Sequence, residues 1–179
     1  MYSKCIMEEQ KRIMNEFIYF WNPKDVKYGY LSNFFLSDFV DNQGVKYCCN
    51  EQYFMKKKQE TFEPHNVLLG KKIMDSNDPA QIKKYGRQIK NFSDEIWDKN
   101  KFIIMCDGLY YKFKNNETLR NELIETHPYI LCEASRWDNI WGIGMDKKTA
   151  LNTPVDNYGL NLLGKALMKV RKRLIEEYM

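Results

Sequence analysis

Apolar residues recur along the chain in two rhythms. Near the C-terminal end Leu160, Leu163, Leu167, Val170, Leu174 and Tyr178 stand three or four apart, the spacing that gathers side chains on one helix face. That stripe reads as a core face rather than a cofactor box. At the other end Ile6, Ile13, Met14 and Phe17 predict a helix over residues 3–16. The run Phe17-Ile18-Tyr19-Phe20-Trp21, stopped by Asn22-Pro23, predicts a buried strand. Residues 24–33, with Gly29 and the polar pair Ser32-Asn33, read as a loop. Residues 34–40 and 45–49 read as strands joined by the turn Asp41-Asn42-Gln43-Gly44, forming a hairpin.

From there the pattern is helical. Asn50 is expected to cap a helix running from Glu51 to about Phe62. Pro64 restarts a helix that carries Leu68, Leu69 and Ile73. Asp78-Pro79 couples a cap to a proline at the first helical position. Ser93-Asp94-Glu95 opens the longest helix, with Ile96, Ile103 and Tyr110 expected on its inner face. Asn116 is expected to cap a further helix with Leu119 and Leu123 inward, and residues 129–133 read as a short strand. No repeat, low-complexity segment or linker interrupts the chain. The expected class is α+β, a mostly helical single domain around a small, mainly antiparallel sheet. It should span 17–179, with residues 1–16 as a helical extension.

Composition narrows the function classes. The chain has 179 residues, 44% of them hydrophobic and 15% aromatic, enough for a packed core without staples. No apolar stretch reaches the ~20 residues a bilayer span needs. Charges interrupt Met1 to Glu9, where a signal peptide would place its apolar core, so a cytoplasmic location with no membrane partner is expected. The cysteines (Cys5, Cys48, Cys49, Cys106 and Cys132) are odd in number and contain no CxxC, which points to reduced thiols rather than a disulfide frame or zinc site. With 28 basic against 24 acidic residues the net charge is +4, which permits an anionic ligand without demanding nucleic acid. The basic clusters at Lys56-Lys57-Lys58, Lys71-Lys72, Lys83-Lys84 and Lys169 to Arg173 read as solvated helix faces.

The histidines, His65 and His127, have no motif neighbours, which disfavours a histidine triad or a histidine-rich metal site. The usual phosphate loops are absent as well. Carboxylate, lysine and aromatic chemistry remain, and three segments carry it. Ser32-Asn33, wedged between aromatics, is either a turn or a polar contact for a ligand. Glu51 at a helix start either complements the helix dipole or reacts, with Lys58 two turns along on the same face. The span Cys132 to Gly144 holds Glu133 and Asp138 beside Trp137 and Trp141; it is either tryptophan core with a capping aspartate or a stacking and acid–base loop.

Taken in order, several short pieces resemble the YbiA/NADAR family. They are Phe20-Trp21; Gly29-Tyr30-Leu31-Ser32-Asn33-Phe34; Glu51-Gln52-Tyr53-Phe54 with Lys58; Tyr85-Gly86-Arg87; Trp97; Lys112-Phe113; Glu133-Ala134-Ser135 with Asp138; Trp141-Gly142-Ile143-Gly144; and Gly159 to Gly164 followed by Leu167-Met168 and Arg171. They cover about residues 18–175. One departure is Gln52, where the family commonly has histidine, which puts a proton-relay role there in doubt.

The resemblance implies hydrolysis of a ribose C1–amine bond; the residues themselves demand no metal or other cofactor. The implied substrates are phosphorylated ribosylamino-pyrimidines of early riboflavin biosynthesis, or ADP-ribose on guanine bases; the partner is thus a phosphorylated ribosyl or ADP-ribosyl small molecule, or ADP-ribosylated DNA or RNA. It also implies roles. Glu51 or Asp138 supplies the anion or general base, Glu133 the acid, and Lys58 a Schiff-base nucleophile or a charge. Trp97 and Trp141 stack on base or sugar, and Arg87 grips phosphate. Phe20, Ser32, Asn33, Gly142 and Asn161 complete the substrate-binding set. The competing class is a non-catalytic module that holds ADP-ribose or a nucleotide. The small net charge favours the small riboflavin intermediates as the first substrate to consider.

Overall fold

The computed structural model describes residues 16–179. The helix expected over 3–16 lies outside the described residues, apart from Glu16. In chain order the elements are β1 (Phe17–Phe20), β2 (Phe39–Val40), β3 (Lys46–Tyr47), α1 (Asn50–Phe62), α2 (Val67–Asp75), α3 (Pro79–Gly86), α4 (Asp94–Asn115), α5 (Glu117–Glu125), β4 (Ile130–Glu133), α6 (Lys147–Ala150) and α7 (Leu162–Tyr178), with 3-10 turns at Gly29–Leu31 and Val155–Asn157. The helix-rich α+β class is the one expected. The chain forms two compact units: the residues up to Ser32 with Asn121–Met179 are one, and Asn33–Arg120 the other.

In the first unit β1 and β4 pair in parallel, Phe17 opposite Ile130 and Phe20 opposite Glu133. Strands so far apart in sequence leave no local turn signal to announce their pairing. Helix α7 packs on β4. Its Leu163, Ala166, Leu167, Val170 and Leu174 are buried, as the periodic stripe requires, while Leu160 and Tyr178 at the two ends are exposed. Close packing depends on Gly164, where a β-carbon would fall 2.0 Å from Leu131 O. Arg171 is buried on the same helix, and its Nη1 donates to Thr126 O at 2.9 Å, Thr126 Oγ1 at 2.8 Å and Tyr129 O at 2.9 Å. A buried guanidinium is tolerable only with such partners. A second small core gathers Tyr19, Cys132, Ala134, Ile143 and Ala150.

In the second unit β2 and β3 form the expected hairpin, but each strand is only two residues long. The reason is local: Asp41 Oδ1 accepts from Gln43 N at 2.9 Å and Val45 N at 3.0 Å, and Gly44 takes a φ of 80°. The tight turn uses residues that a longer ladder would need. The aromatic rings of Phe39, Tyr47 and Tyr53 pack beside it, at centroid spacings of 5.5 Å and 5.1 Å along the chain of contacts. Helix α1 is the hub of this unit and packs against α2, α3 and α4.

Capping follows the sequence at Asp78, which accepts from Ala80 N, and at Ser93, which accepts from Ile96 N. Asn66 caps α2. Asn50 does not cap α1: Cys49 holds that position, and Asn50 is the first helical residue with its side chain fully buried. Asn116 turns its amide back to Lys112 O and Asp38 O. The inner face of α4 agrees with expectation at Tyr110 and departs from it at Ile96 and Ile103. Ile96 and Ile103 are exposed at 48% and 57%, and Trp97, Met105, Cys106, Leu109, Tyr110 and Phe113 face inward. Apolar residues surround this helix on nearly every side, so periodicity alone selects no face, and bulky Trp97 takes the interior. No helix among the described residues is long and apolar enough to cross a membrane.

Gly108 in the middle of α4 has a steric reason. A β-carbon there would lie 2.1 Å from Asn50 Oδ1 and 2.6 Å from the Tyr53 ring. In an open helix Gly→Ala adds stability of roughly 1 kcal/mol. Here the sign reverses: Gly108→Ala is expected to lower the unfolding free energy by about 1–3 kcal/mol, as read by urea denaturation.

Candidate active site

Glu51 lies in the first turn of α1, where the helix dipole favours an anion. Asn33 grips it from two sides. The Glu51 N–H donates to Asn33 O at 3.1 Å, and Asn33 Nδ2 donates to Glu51 Oε2 at 2.9 Å. Asn33 Oδ1 in turn accepts from Asn50 Nδ2 at 2.5 Å. The carboxylate is only 4% exposed. Its other oxygen, Oε1, is buried with no hydrogen-bond partner among the described residues. Burial pushes the Glu51 carboxyl above the usual range, while Lys83, the Asn33 hydrogen bond, Lys58 and Arg87 pull it back down. A half-satisfied carboxylate amid cations is an uncomfortable arrangement for a purely structural residue.

Lys58 is half-buried farther along α1. Its Nζ donates to Gly86 O at 3.3 Å, and it stands 4.3 Å from the Phe92 ring centroid and 6.0 Å from that of Trp97. The rings support one another, with Phe54 and Trp97 at 5.0 Å and Phe62 and Phe92 at 5.0 Å. Burial lowers the Lys58 pKa most; Glu51 and Asp94 act to raise it, and Arg87 lowers it further. Trp97 is buried at 7% exposure, a wall beside this lysine. Arg87 is exposed at the C-terminal end of α3.

Lys83 is the residue that the sequence reading missed. Beside Lys84 it reads as part of a solvated face, yet only Lys84 is exposed. Lys83 is half-buried, 5.6 Å from the Phe34 ring, and is the foremost charge acting on Glu51. The available signal was its place four residues before Arg87, which puts both cations on one side of α3. Gln52, at the position where a relay was in doubt, serves as a clasp. Its Oε1 accepts from Cys48 N at 2.8 Å, and its Nε2 reaches Ile73 O, Met74 O and Ser76 O, each at 3.0 Å. That ties the start of α1 to the end of α2.

The structure thus brings Asn33, Glu51, Lys58, Arg87 and Trp97 together in the second unit. The remaining candidates belong to the first unit. Phe20 and Glu133 end the two parallel strands opposite each other, and Ala134 N donates to Phe20 O at 2.8 Å. Ser32 is buried at the last position of its segment. Asp138 Oδ1 accepts from Ile140 N at 2.9 Å and Trp141 N at 2.7 Å, so this carboxylate shapes the loop that carries half-buried Trp141. Gly142 is boxed in: a β-carbon would lie 2.8 Å from both Asp138 O and Glu133 O. Asn161, at a φ of 50°, accepts from Glu133 N at 3.1 Å and donates to Leu131 O at 2.8 Å, fixing the end of β4.

These residues lie in the segments that defined the resemblance, and residues 19–175 match the NADAR domain. The chain belongs to the NADAR family. A mimiviral protein of Acanthamoeba polyphaga mimivirus named as an N-glycosidase is 42% identical over 129 residues, 72% of this chain and 75% of its own. Protein irg-1 of Caenorhabditis elegans is 33% identical over 73% of this chain and 62% of its own. A Vibrio vulnificus protein named for riboflavin biosynthesis is 29% identical over 98% of this chain but only 43% of its own, so the NADAR chain spans less than half of that relative. The solved structure of E. coli YbiA matches with a TM-score of 0.72 at 26% identity, covering 90% of this chain and 86% of the other.

Two neighbours in the NADAR motif should answer substitution in opposite ways. Gln52→Leu strands several backbone groups, and a loss of about 2–4 kcal/mol is expected in thermal or urea unfolding. Glu51→Gln removes a buried charge and keeps an acceptor for Asn33. A raised native pKa means the native state holds its proton longer than the unfolded chain does, so wild-type stability falls as pH climbs through that window. Glu51→Gln is therefore expected to be more stable than wild type at pH 7, by about 1 kcal/mol, with the advantage disappearing near pH 4 in parallel urea titrations.

Proposed function

We propose that this chain hydrolyses the bond between ribose C1 and an exocyclic amine of a base, in a phosphorylated nucleotide-like substrate. Hydrolysis of N-glycosidic bonds is the activity class of this NADAR chain, consistent with relatives named N-glycosidase in a giant virus, in Nostoc punctiforme and in Shigella. The observation that carries the reading is the buried Glu51 carboxylate, one oxygen held by Asn33 and the other unengaged among the described residues, with Lys58, Lys83 and Arg87 acting on it.

The chemistry follows from charge. As the C1–N bond breaks, its electron pair leaves with the amine, which gains a proton, and positive charge develops at C1. Glu51 stabilises that charge or takes the proton of the attacking water. Lys83 and Arg87 suit a phosphate, the arginine bidentately. Lys58, its pKa lowered by burial, is positioned either to attack C1 of the opened sugar or to hold charge beside it. Glu133 is the candidate acid. Asp138 is better cast as the residue that shapes the Trp141 loop than as a base, because its carboxylate accepts two backbone hydrogen bonds.

We take the phosphoribosylamino-pyrimidine of riboflavin biosynthesis as the primary substrate, and ADP-ribosylated guanine as the second. The Vibrio, Arabidopsis and Zea relatives named for riboflavin biosynthesis support that order. The test offers the purified chain each substrate separately and reads released ribose product by mass spectrometry. Release from the pyrimidine supports the primary reading, and release only from ADP-ribosylated guanine transfers it to the second. Tight ADP-ribose binding with no release from either would make the chain a binding module. On whichever substrate turns over, Glu51→Gln is expected to cut kcat by about 10² to 10⁴-fold, whereas Lys83→Ala should act mainly on KM.

A further inference from the structure

We propose that Asn50 is a positioning residue for Glu51, acting through Asn33: it locks the Asn33 amide in the orientation that presents an N–H donor to the Glu51 carboxylate. The proposal rests on the reading of Glu51 as the reactive carboxylate.

The geometry is a directed chain of hydrogen bonds. Asn50 Nδ2 donates to Asn33 Oδ1 at 2.5 Å, and Asn33 Nδ2 donates to Glu51 Oε2 at 2.9 Å. An amide has two faces of opposite character, and rotation by half a turn about its terminal bond exchanges them. If Asn33 turned over, its oxygen would meet the carboxylate oxygen and its NH2 would meet the Asn50 NH2. Both pairings are repulsive, so each link fixes the sense of the next. A hydroxyl in place of Asn50 would adapt to either orientation of Asn33, because its proton rotates. An amide cannot.

The rest of the site is arranged around Asn50. It is completely buried, and its Nδ2 also lies 3.1 Å from Met105 Sδ. Its Oδ1 has no hydrogen-bond partner among the described residues and is aimed at Gly108, where any side chain would collide with it. The space for this amide therefore exists only because α4 carries glycine there. A buried, unsatisfied amide oxygen is costly, and a residue with only a packing role would be better as leucine or alanine. The cost is explained if the useful end of Asn50 is the one facing Asn33.

The charged groups acting on Glu51 are Lys58 on its own helix and Lys83 and Arg87 from α3; the Cys49 thiol is also close enough to interact with it. Asn50 and Asn33 carry no charge, so replacing them disturbs the Glu51 carboxyl through hydrogen bonding and leaves those ion interactions in place.

The test titrates the Glu51 carboxyl by carbon-13 NMR of glutamate-labelled protein, with the signal assigned by its loss in Glu51→Gln. In Asn50→Leu the midpoint is expected to rise by about one pH unit. Asn33→Ala should raise it by a similar amount, and the double variant should add nothing further. Asn50→Ser, whose rotating hydroxyl fits either orientation of the Asn33 amide, should raise the midpoint part of the way and serves if the leucine variant fails to fold. The acidic limb of kcat/KM against pH should move with the NMR midpoint. An unchanged midpoint in whichever Asn50 variant folds, or fully additive shifts in the double variant, would reduce Asn50 to packing while leaving the role of Glu51 intact. Full activity in Glu51→Gln would overturn the proposal from the other side, by removing Glu51 from the reaction.

Discussion

A carboxylate taken out of water is the constraint around which the second unit is organised. Glu51 is buried at the start of α1, and the segments near it supply compensation: a backbone carbonyl and an amide from Asn33, cations from α3, and Lys58 on the same helix. The compensation is incomplete, because one oxygen finds no hydrogen bond among the described residues. An inert protein gains nothing from such an arrangement, and most cores avoid it. A hydrolase that must stabilise positive charge on a sugar carbon benefits from an anion that water cannot quench.

Lys58 is the counterpart. It is held over a cluster of rings by Phe54, Phe62, Phe92 and Trp97, so the same burial that strains the acid also strains the base. The two side chains ease each other's pKa shifts without forming a direct ion pair in the described contacts. Gln52, one residue from Glu51, does the reverse. It satisfies four backbone groups and holds α1 against the end of α2. Adjacent positions of one motif thus divide between a half-satisfied buried carboxylate and a fully engaged clasp.

Much of this was legible in the sequence, for reasons that can be named. The stripe on α7 was readable because one helix face is apolar and the other charged, and the caps at Asp78 and Ser93 were readable because they act over two or three residues. The parallel pairing of β1 with β4 was not, since nothing local encodes a contact between residues 17–20 and 130–133. The face of α4 was legible at Tyr110 but not at Ile96 and Ile103, because apolar residues surround that helix almost entirely. Within the site, Glu51 and Lys58 were visible as a carboxylate and an amine on one helix. Lys83 was hidden in a lysine pair that looks like any solvated surface, and Asn50 behind the ordinary expectation that an asparagine before a helix caps it. In both cases a partner distant in sequence sets the side chain's role: Glu51 for Lys83, and Met105 with Gly108 for Asn50.

The fit of Asn50 against Gly108 also sets the order in which substitutions can accumulate over evolutionary time. A chain with alanine at position 108 holds asparagine at position 50 only under strain, whereas a chain with glycine at 108 accepts asparagine without it. The unstrained path is the one on which the glycine comes first. Once the asparagine is in place, losing the glycine carries a cost that it did not carry before, and the pair behaves as a ratchet: two positions on different helices, 58 residues apart, whose histories are tied together by a single methyl group's worth of space.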